Sequence, residues 1–163
     1  MKKKRLIPVL LLKDGWLVQS KDFSRYQNLG NPVTAVQRLS EWASDELIYL
    51  DISSGDNYDT RRNDQGYENR GSFLEIIEDV SKVTFMPITV GGKITKLEDI
   101  ERRLVVGADK IAINRMAIER PQFITEAATN FGSQCIVVSI DAKIVDGQHR
   151  VFTNGGKQIT QYT

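Results

Sequence analysis

Apolar runs that predict β-strands alternate along the chain with segments whose apolar residues recur at helical spacing. The strand-like runs span residues 5–12, 46–52, 86–90, 110–113 and 135–140. The helical segments between them begin near Pro32, Phe73, Thr95 and Pro121. Because strands and helices alternate over short connections, the pattern predicts an α/β fold with a parallel sheet, in a single domain over residues 1–163.

The end of the chain follows a different pattern. Asp146-Gly147 and Asn154-Gly155-Gly156 are strong hairpin-turn signals, so the tail is predicted to be a small β-meander. Four strand–helix units followed by a fifth strand amount to roughly half of a (β/α)8 TIM barrel, which takes about 250 residues. A flavodoxin-like five-stranded sheet is the rival fold, but it would normally end with a fifth helix, and the pattern shows none.

One run is especially informative about chemistry. The segment from Cys135 to Ile140 is apolar except for Ser139, and it leads directly into Asp141. Such a run is typical of a strand buried on both faces, and α/β folds place ligands and catalysis at the carboxyl ends of such strands. Asp141 is therefore a candidate general acid or base. The alternative is an aspartate that only caps the following turn.

Polar residues also follow the other predicted strands. Asp51 ends the second strand, Gly91-Gly92-Lys93 follows the third, and Asn114-Arg115 follows the fourth. The glycine pair would let backbone N–H groups approach a phosphate, with positive charge from Lys93 or Arg115. Asp51 would order the site by hydrogen bonding. On its own, a Gly-Gly pair is more often only a turn.

A long polar segment, residues 53–71, interrupts the alternation after the second strand. It contains almost no apolar residue besides two tyrosines. The simpler interpretation is a mobile, solvated loop. The alternative is a lid over the ligand face that grips an anion with Arg61 and Arg62.

Composition narrows the classes of function. The net charge of +1 gives no basic field that would attract nucleic acid. Cys135 and His149 are the only residues of their kinds, so neither a disulfide within the chain, nor a zinc site, nor a histidine-based triad is expected. We predict no metal and no cofactor. No stretch is long enough to span a membrane, and no cleavage site follows the short apolar run near the N-terminus, so we expect a cytoplasmic protein.

Several phrases of the sequence together resemble one enzyme family. They are Lys13-Asp14-Gly15, Gly30-Asn31-Pro32, Asp45-Glu46-Leu47, Leu50-Asp51-Ile52, Thr89-Val90-Gly91-Gly92, Gly107-Ala108-Asp109-Lys110, Ile113-Asn114, Phe131-Gly132-Ser133-Gln134 and Ser139-Ile140-Asp141-Ala142-Lys143. In this order, and over essentially the whole chain, they resemble the cyclase subunit of imidazole glycerol phosphate synthase, the HisF family of histidine biosynthesis. The sister isomerase of the same pathway lacks the last phrase in this form.

The resemblance implies a (β/α)8 barrel that takes ammonia from a glutaminase partner and closes an imidazole ring on a bis-phosphorylated ribulose substrate. It also implies two catalytic aspartates, one ending the first strand and one ending the fifth. Asp141 matches the second of them, but Leu11 stands at the position of the first. Leucine cannot transfer protons, and the family's second phosphate site would lie beyond residue 163. Complete activity from this chain alone is therefore not expected.

Further departures concern the phosphate site. Gly91-Gly92 and Asn114 match the family, whereas Lys93 stands for its third glycine and Arg115 for its threonine. Gln19 stands for the lysine of the family's catalytic loop. The leucine in the first strand resembles instead a divergent branch, whose members work with a glutaminase in making amidated sugars of bacterial surface polysaccharides.

At the opposite end of the barrel, the family has a charged gate for ammonia made of four residues. Arg5, Glu46 and Lys110 match three of them, and Asp109 matches a contact to the glutaminase. The alternative is an ordinary salt-bridged barrel floor, because buried opposite charges need each other for structural reasons alone.

Two functions therefore remain open. The first is a cyclase-family protein that adds ammonia to a phosphorylated sugar-type substrate with the help of a glutaminase subunit. The second is a non-catalytic half barrel that binds phosphate-like ligands and associates with itself. A five-stranded fragment would leave two open sheet edges and an uncovered apolar face, so we expect a homo-oligomer.

Overall fold

The computed structural model describes residues 4–21, 24–42, 44–61 and 66–163. The chain forms two compact units, residues 1–111 and residues 112–163. In the described ranges, no helix is long and apolar enough to cross a membrane.

The first unit is built on a sheet whose central strands are parallel. Its strands are β1 (Val9–Lys13), β2 (Trp16–Lys21), β3 (Arg25–Gly30), β4 (Leu47–Asp51) and β5 (Ile88–Gly91), and β6 (Lys110–Ile113) begins in this unit and ends in the next. The strand order is β3-β2-β1-β4-β5-β6. The parallel register aligns Leu11 with Leu50 and Leu50 with Gly91. The predicted parallel sheet is thereby confirmed.

An antiparallel hairpin precedes the first helix, and the sequence pattern does not predict it. β2 pairs with β1 across the turn at Asp14 and Gly15, whose φ angles are 53° and 90°, and β3 pairs with β2. The pattern does not reveal β3 because residues 25–28 are Arg-Tyr-Gln-Asn, with little apolar alternation. The hairpin covers the edge of β1 that was expected to be open.

Three helices of the first unit begin close to their predicted positions. They are α1 (Pro32–Glu41), α2 (Phe73–Val83) and α3 (Leu97–Val105). Asn31 caps α1 by accepting hydrogen bonds from the N–H groups of Val33 and Thr34 at 2.9 and 3.2 Å. The N-cap residue of α3 is Lys96, which directly follows Thr95.

The face of the sheet that is turned toward the helices forms the core of this unit. Leu47 and Tyr49 on β4 and Val36 on α1 are fully buried. The hydroxyl of Tyr49 donates to the carbonyl oxygen of Pro32 at 2.8 Å, which joins β4 to the first turn of α1. Burial raises the pKa of Tyr49, so this hydroxyl remains a donor at neutral pH.

The opposite face of the same sheet is less covered. Val9 in β1 is 54% exposed, and the cross-strand neighbours Leu11 and Leu50 are only half-buried. Side chains alternate between the two faces of a strand, so these three residues lie on the face opposite Tyr49. The position that the resemblance assigns to a catalytic aspartate is therefore part of a partly open apolar surface.

The second unit contains the end of β6, two helices and a small sheet. Its elements are α4 (Arg115–Glu119), α5 (Gln122–Phe131), a 3-10 turn (Ser133–Cys135), β7 (Ile136–Val138), β8 (Asp141–Val145), β9 (Gln148–Thr153) and β10 (Gln158–Ile159). The last three strands form a sheet of order β10-β9-β8 with antiparallel pairing. The left-handed residues Asp146-Gly147 and Asn154-Gly155-Gly156 lie in its two turns. The predicted β-meander is thereby confirmed.

The prediction of a doubly buried strand over residues 135–140 is wrong. Cys135 belongs to the 3-10 turn, and β7 covers only Ile136–Val138. Val138 and Ile140 are 44% and 55% exposed. Two residues separate β7 from β8, which Asp141 opens, because the chain turns here into the terminal hairpin.

The strands in the described parts of the chain do not close into a barrel. The α/β class and the parallel pairing agree with the predicted fold. The half barrel itself stays a prediction.

Candidate functional site

At the carboxyl end of β4, the side chain of Asp51 is 1% exposed and meets the turn that follows β5. Its carboxylate binds Nζ of Lys93 at 2.9 Å and accepts the N–H of Ser53 at 2.9 Å. Because strands β4 and β5 are parallel neighbours, their carboxyl ends lie together, as the sequence predicts.

Gly92 allows this turn to lie against β4. Its φ is +103°, and a Cβ atom there would lie 2.2 Å from the carbonyl oxygen of Asp51. Both the left-handed conformation and the close backbone approach require glycine. The glycine pair at 91–92 is therefore more than a surface turn, because it lets the turn after β5 pack against the backbone at the end of β4.

Lys93 ties the loop after β4 to the turn after β5. Its Nζ binds Asp51 at 2.9 Å, Asp56 at 3.0 Å and the carbonyl oxygen of Gly55 at 2.5 Å. Its own φ is +53°, a left-handed conformation that is uncommon for a residue with a side chain. Two carboxylates compensate this cation, so an anionic ligand at Lys93 would compete with both of them.

The described part of the polar segment, residues 53–61 and 66–71, packs against the rest of the unit. Tyr58 and Asn69 are buried, and the Nδ2 of Asn69 donates to the carbonyl oxygens of Asp14 and Asp59 at 3.0 and 3.1 Å. Burial, followed by the charge of Asp51, raises the pKa of Tyr58. The sequence did not indicate that Tyr58 and Asn69 would be buried, because both lie within a run of polar residues.

Of the two arginines predicted to form a lid, Arg61 is among the described residues. Arg61 is exposed, and its Nε and Nη2 bind the carboxylate of Asp59 at 3.0 and 3.1 Å. That pairing raises the pKa of Arg61. Arg62 lies outside the described residues, so the lid remains a prediction.

Arg103 is a buried residue that the sequence pattern does not single out. It is 8% exposed, and its Nη1 and Nη2 donate to the carbonyl oxygens of Asp99 and Gly92 at 2.6 and 2.8 Å. Its guanidinium lies 5.9 Å from the centre of the Phe73 ring. Burial lowers the pKa of Arg103, and the nearby carboxylates, Asp99 first, oppose that effect. The arginine thus holds the glycine turn against α3.

Asp99 closes the first turn of α3. Its Oδ2 accepts from the N–H and hydroxyl of Thr95, both at 3.0 Å, and from the N–H of Lys96 at 3.2 Å. Burial by itself raises the pKa of Asp99. These hydrogen bonds and the charge of Arg103 together lower it by more, so the pKa of Asp99 lies below its ordinary value.

Replacing Asp99 by Asn is expected to lower the free energy of unfolding by about 1 kcal/mol at neutral pH, as loss of a helix cap does. The pKa of Asp99 is lower in the folded protein than in the unfolded chain. Its contribution is therefore present above the ordinary pKa of 3.8 and is lost as the pH falls through the lowered folded value. Urea denaturation at neutral and acid pH measures this difference. A gap between the two proteins that persists in acid would contradict the assignment, and Glu98→Gln in the same helical turn is the control.

At the amino ends of the strands, three predicted residues come together. The carboxylate of Glu46, 12% exposed, binds Nη1 of Arg5 and also Nζ of Lys110, the latter at 3.0 Å. The neighbouring Asp109 is engaged within the unit, because its Oδ2 accepts the N–H of Ile88 at 2.8 Å. The described structure therefore contains the charged cluster that the sequence suggested.

Replacing Glu46 by Gln is expected to lower the free energy of unfolding by about 2 kcal/mol, because Arg5 and Lys110 then face each other without a carboxylate between them. Chemical denaturation of the two proteins measures the loss. Glu41→Gln removes an exposed carboxylate from the end of α1 and is the matched control. If both variants lost the same stability, the cluster would be an ordinary surface pair.

The second unit holds the remaining predicted site residues. Asn114 is half-buried and precedes α4, and Arg115 is exposed, with its Nε 3.9 Å from the carboxylate of Glu119. Asp141 is half-buried and opens β8 opposite Phe152. The side-chain carboxylate of Asp141 forms no hydrogen bond or ion pair with any residue in the described ranges.

Comparisons with known proteins address the whole chain. Residues 5–163 match the family described as histidine biosynthesis protein. The imidazole glycerol phosphate synthase subunit HisF of Exiguobacterium sp. is 42% identical over 160 residues, which cover 98% of this chain and 58% of that protein. The same subunit of Natranaerobius thermophilus is 40% identical over 157 residues, covering 96% and 58%.

The chain thus spans 58% of the length of these two curated relatives. The resemblance drawn from the strand-end residues is confirmed by matches that cover nearly all of the chain. On this evidence, the chain belongs to the histidine biosynthesis protein family and is similar to HisF over almost its entire length.

Proposed function

We propose that this chain is a HisF-like subunit that introduces ammonia into a phosphorylated sugar-type substrate, with a glutaminase partner supplying the ammonia. The observation that carries the proposal is the family match over residues 5–163, which contains every residue predicted for the site. The assembly of Arg5, Glu46 and Lys110 into one cluster supports the same reading.

Asp141 is the proposed acid–base group. When ammonia adds to a carbonyl carbon of a sugar-type substrate, a C–N bond forms, the π bond of the carbonyl opens and one proton passes from the nitrogen to the oxygen. A half-buried carboxylate without a partner in the described ranges can accept the proton from the nitrogen and return it to the oxygen. Leu11 cannot act as a second acid. Amidation, which the polysaccharide branch of the family performs, therefore suits this chain better than the ring closure of histidine biosynthesis, which uses two aspartates.

Two sets of phosphate ligands are proposed: the N–H groups of Gly91-Gly92 in the first unit, and the amide of Asn114 with the guanidinium of Arg115 in the second. Arg115 is exposed, and its Nε lies 3.9 Å from its nearest acid, so its charge is only weakly compensated. In the first unit, Lys93 would join the N–H groups of Gly91-Gly92 only if a ligand displaced Asp51 or Asp56. Asp51 orders this end of the sheet rather than transferring a proton.

Ammonia would enter at the opposite end of the strands, past the cluster of Arg5, Glu46 and Lys110. The glutaminase is proposed to dock on the side that carries Asp109. Rearrangement of the two cations around Glu46 would open that path, because its carboxylate holds both of them.

Co-purification with a glutaminase, followed by a glutamine-dependent amidation assay, tests this function. We expect a complex that consumes glutamine and transfers its amide nitrogen to a phosphorylated sugar. Asp109→Ala should weaken the complex, whereas Asp45→Ala alters a carboxylate that accepts the N–H of Leu6 and serves as the comparison. If the chain bound phosphate but neither glutaminase nor ammonia-derived product were found, the catalytic function would be rejected.

The alternative function is a non-catalytic module that associates with itself and binds phosphate-like ligands. The 54% exposure of Val9 in a central strand, beside half-buried Leu11 and Leu50, favours it. A second copy covering this face would bury apolar area. Light scattering that finds only a compact monomer would count against the homo-oligomer.

A further inference from the structure

A side chain near the far end of the polar segment, residues 53–71, joins that segment to the turn between β1 and β2. Asn69 is 7% exposed, and its Nδ2 donates to the backbone carbonyl oxygens of Asp14 and Asp59 at 3.0 and 3.1 Å. Asp14 belongs to the turn, whereas Asp59 belongs to the polar segment. The two N–H groups of one amide therefore hold the segment and the turn together.

Gly15, the second residue of the turn, leaves the space that Asn69 occupies. The φ of Gly15 is +90°, and a Cβ atom there would lie 2.0 Å from Oδ1 of Asn69. A side chain at this position would push the amide of Asn69 out of its place. The amide and the turn therefore fit each other only while both keep their present positions.

A second contact ties the same turn to the beginning of the polar segment. Ser53 is 6% exposed, and its Oγ accepts a hydrogen bond from the N–H of Asp14 at 2.7 Å. The same hydroxyl donates to the phenolic oxygen of Tyr58 at 3.4 Å, and Tyr58 is buried as well. The turn is thus held by Ser53 and by Asn69, which lie near the two ends of the polar segment.

The two ends of the polar segment are also hydrogen-bonded to each other. The N–H of Tyr58 donates to the carbonyl oxygen of Gly71 at 2.8 Å, and Asn57 forms an antiparallel bridge with Ser72. These backbone contacts close the base of the segment. Because the contacts at Ser53 and Asn69 belong to one hydrogen-bonded network, loss of either is expected to weaken the other.

The turn at Asp14 fixes the start of the N-terminal hairpin, which consists of β2 and β3. Lys13 pairs with Trp16 across the turn. β3 is the edge strand of the sheet, and it is joined to the sheet through its pairing with β2. A movement of Asp14 would therefore displace β2 and, through β2, β3. The hairpin and the polar segment thus depend on the same two-residue turn.

We propose that Asn69 and Ser53 form a clamp that couples the polar segment to the N-terminal hairpin, so that the two open together and become ordered together. Opening of either one would leave buried polar groups of the other without hydrogen-bond partners, which is costly. A ligand that ordered one of them would also order the other, because coupling between two parts of a protein is reciprocal. The clamp is a property of the chain by itself and does not depend on the proposed function.

Hydrogen–deuterium exchange of the full chain at neutral pH, resolved into peptides by mass spectrometry, tests the clamp. Asn69→Asp keeps the shape of the side chain but removes both N–H donors. We expect exchange to become about tenfold faster in the described parts of the polar segment and in the hairpin, because two hydrogen bonds that oppose local opening are lost. Peptides from β4 and β5 should keep the wild-type rate.

Asn130→Asp is the control for this substitution. Asn130 is exposed, and its Nδ2 also donates to a backbone carbonyl oxygen, that of Glu126 at 2.8 Å. It makes the same chemical change in the second unit and should leave both regions at the wild-type rate. Faster exchange in Asn69→Asp that is confined to the polar segment would overturn the coupling, as would an equal effect of Asn130→Asp.

Gly15→Ala tests the same coupling from the side of the turn. Its Cβ would displace Asn69, so exchange should rise in the polar segment as well as in the hairpin. Gly147→Ala is the matched control, because Gly147 also has a left-handed φ, +76°, but no atom of the described residues lies within 4 Å of a Cβ there. If the polar segment exchanged at the wild-type rate in Gly15→Ala, or equally fast in both variants, the clamp would be rejected.

Ser53→Ala keeps the test decisive if a stronger variant fails to fold. It removes only one hydroxyl, which accepts the N–H of Asp14. Exchange should rise by a smaller factor, about threefold, in both the polar segment and the hairpin. A rise in only one of the two regions, or in neither, would contradict the coupling.

Discussion

Replacing Asp141 by Asn is expected to lower the proposed glutamine-dependent amidation by about 10²- to 10⁴-fold, the usual contribution of a general acid or base. The amide keeps the shape of the side chain but cannot accept a proton at neutral pH. The effect should be close to complete because Leu11 offers no second acid in β1. Turnover of the complex with glutaminase, measured at saturating substrate, gives the ratio.

Asp146→Asn is the matched control for this prediction. Asp146 is exposed and lies in the turn between β8 and β9, with a φ of 49° that Asn also tolerates. The control should retain activity, and both variants should keep the stability of the terminal sheet. Full activity in Asp141→Asn would remove Asp141 from the mechanism, and a similar loss in both variants would indicate a structural effect.

Replacing Gly92 by Ala is expected to lower the free energy of unfolding by about 3 kcal/mol or more. A left-handed conformation costs a residue with a side chain roughly 1–3 kcal/mol, and overpacking adds a similar amount. Here the new Cβ would lie 2.2 Å from the carbonyl oxygen of Asp51, which belongs to the backbone and cannot rotate away. Chemical denaturation measures the loss.

Gly55→Ala provides the comparison within the same unit. Gly55 has no left-handed strain, and a Cβ there would meet only the carbonyl oxygen of Asn57 at 3.8 Å, an ordinary contact. It should change stability by less than about 0.5 kcal/mol. If Gly92→Ala lowered the free energy of unfolding as little as Gly55→Ala, the close contact between the glycine turn and the backbone of Asp51 would be contradicted.

The features that the sequence predicts well are those set by local pattern. Buried strands such as β4 and β5, the helix starts at Pro32 and Phe73, and the Gly-containing turns of the terminal sheet all have strong local signals. The charged cluster of Glu46 was also predictable, although only from the family resemblance. Strand ends meet in a parallel sheet, so Asp51 and Gly92 could be placed together without coordinates.

Features that depend on long-range packing were not predictable. β3 carries polar residues and is held by its pairing with β2 rather than by its own pattern. Arg103 interrupts the apolar face of α3, and only the tertiary structure shows that two carbonyl oxygens bind its guanidinium. An apolar run alone could not show that β7 would end at Val138, because the start of the terminal hairpin decides that point.

For Lys93, the role predicted from the sequence differs most from the contacts in the structure. As a residue after a Gly-Gly pair, it resembles a phosphate ligand. In the structure, Asp51, Asp56 and the carbonyl oxygen of Gly55 surround its amino group.

The fate of the amide nitrogen of glutamine tests the proposed function most directly. Glutamine with an isotopically labelled amide is incubated with this chain, a glutaminase and a phosphorylated sugar, and the products are followed by mass spectrometry. We expect the label in a phosphorylated product, and we expect that product to disappear with Asp141→Asn. Label that stays in free ammonia, at the same rate with or without this chain, would contradict the proposed ammonia-using function.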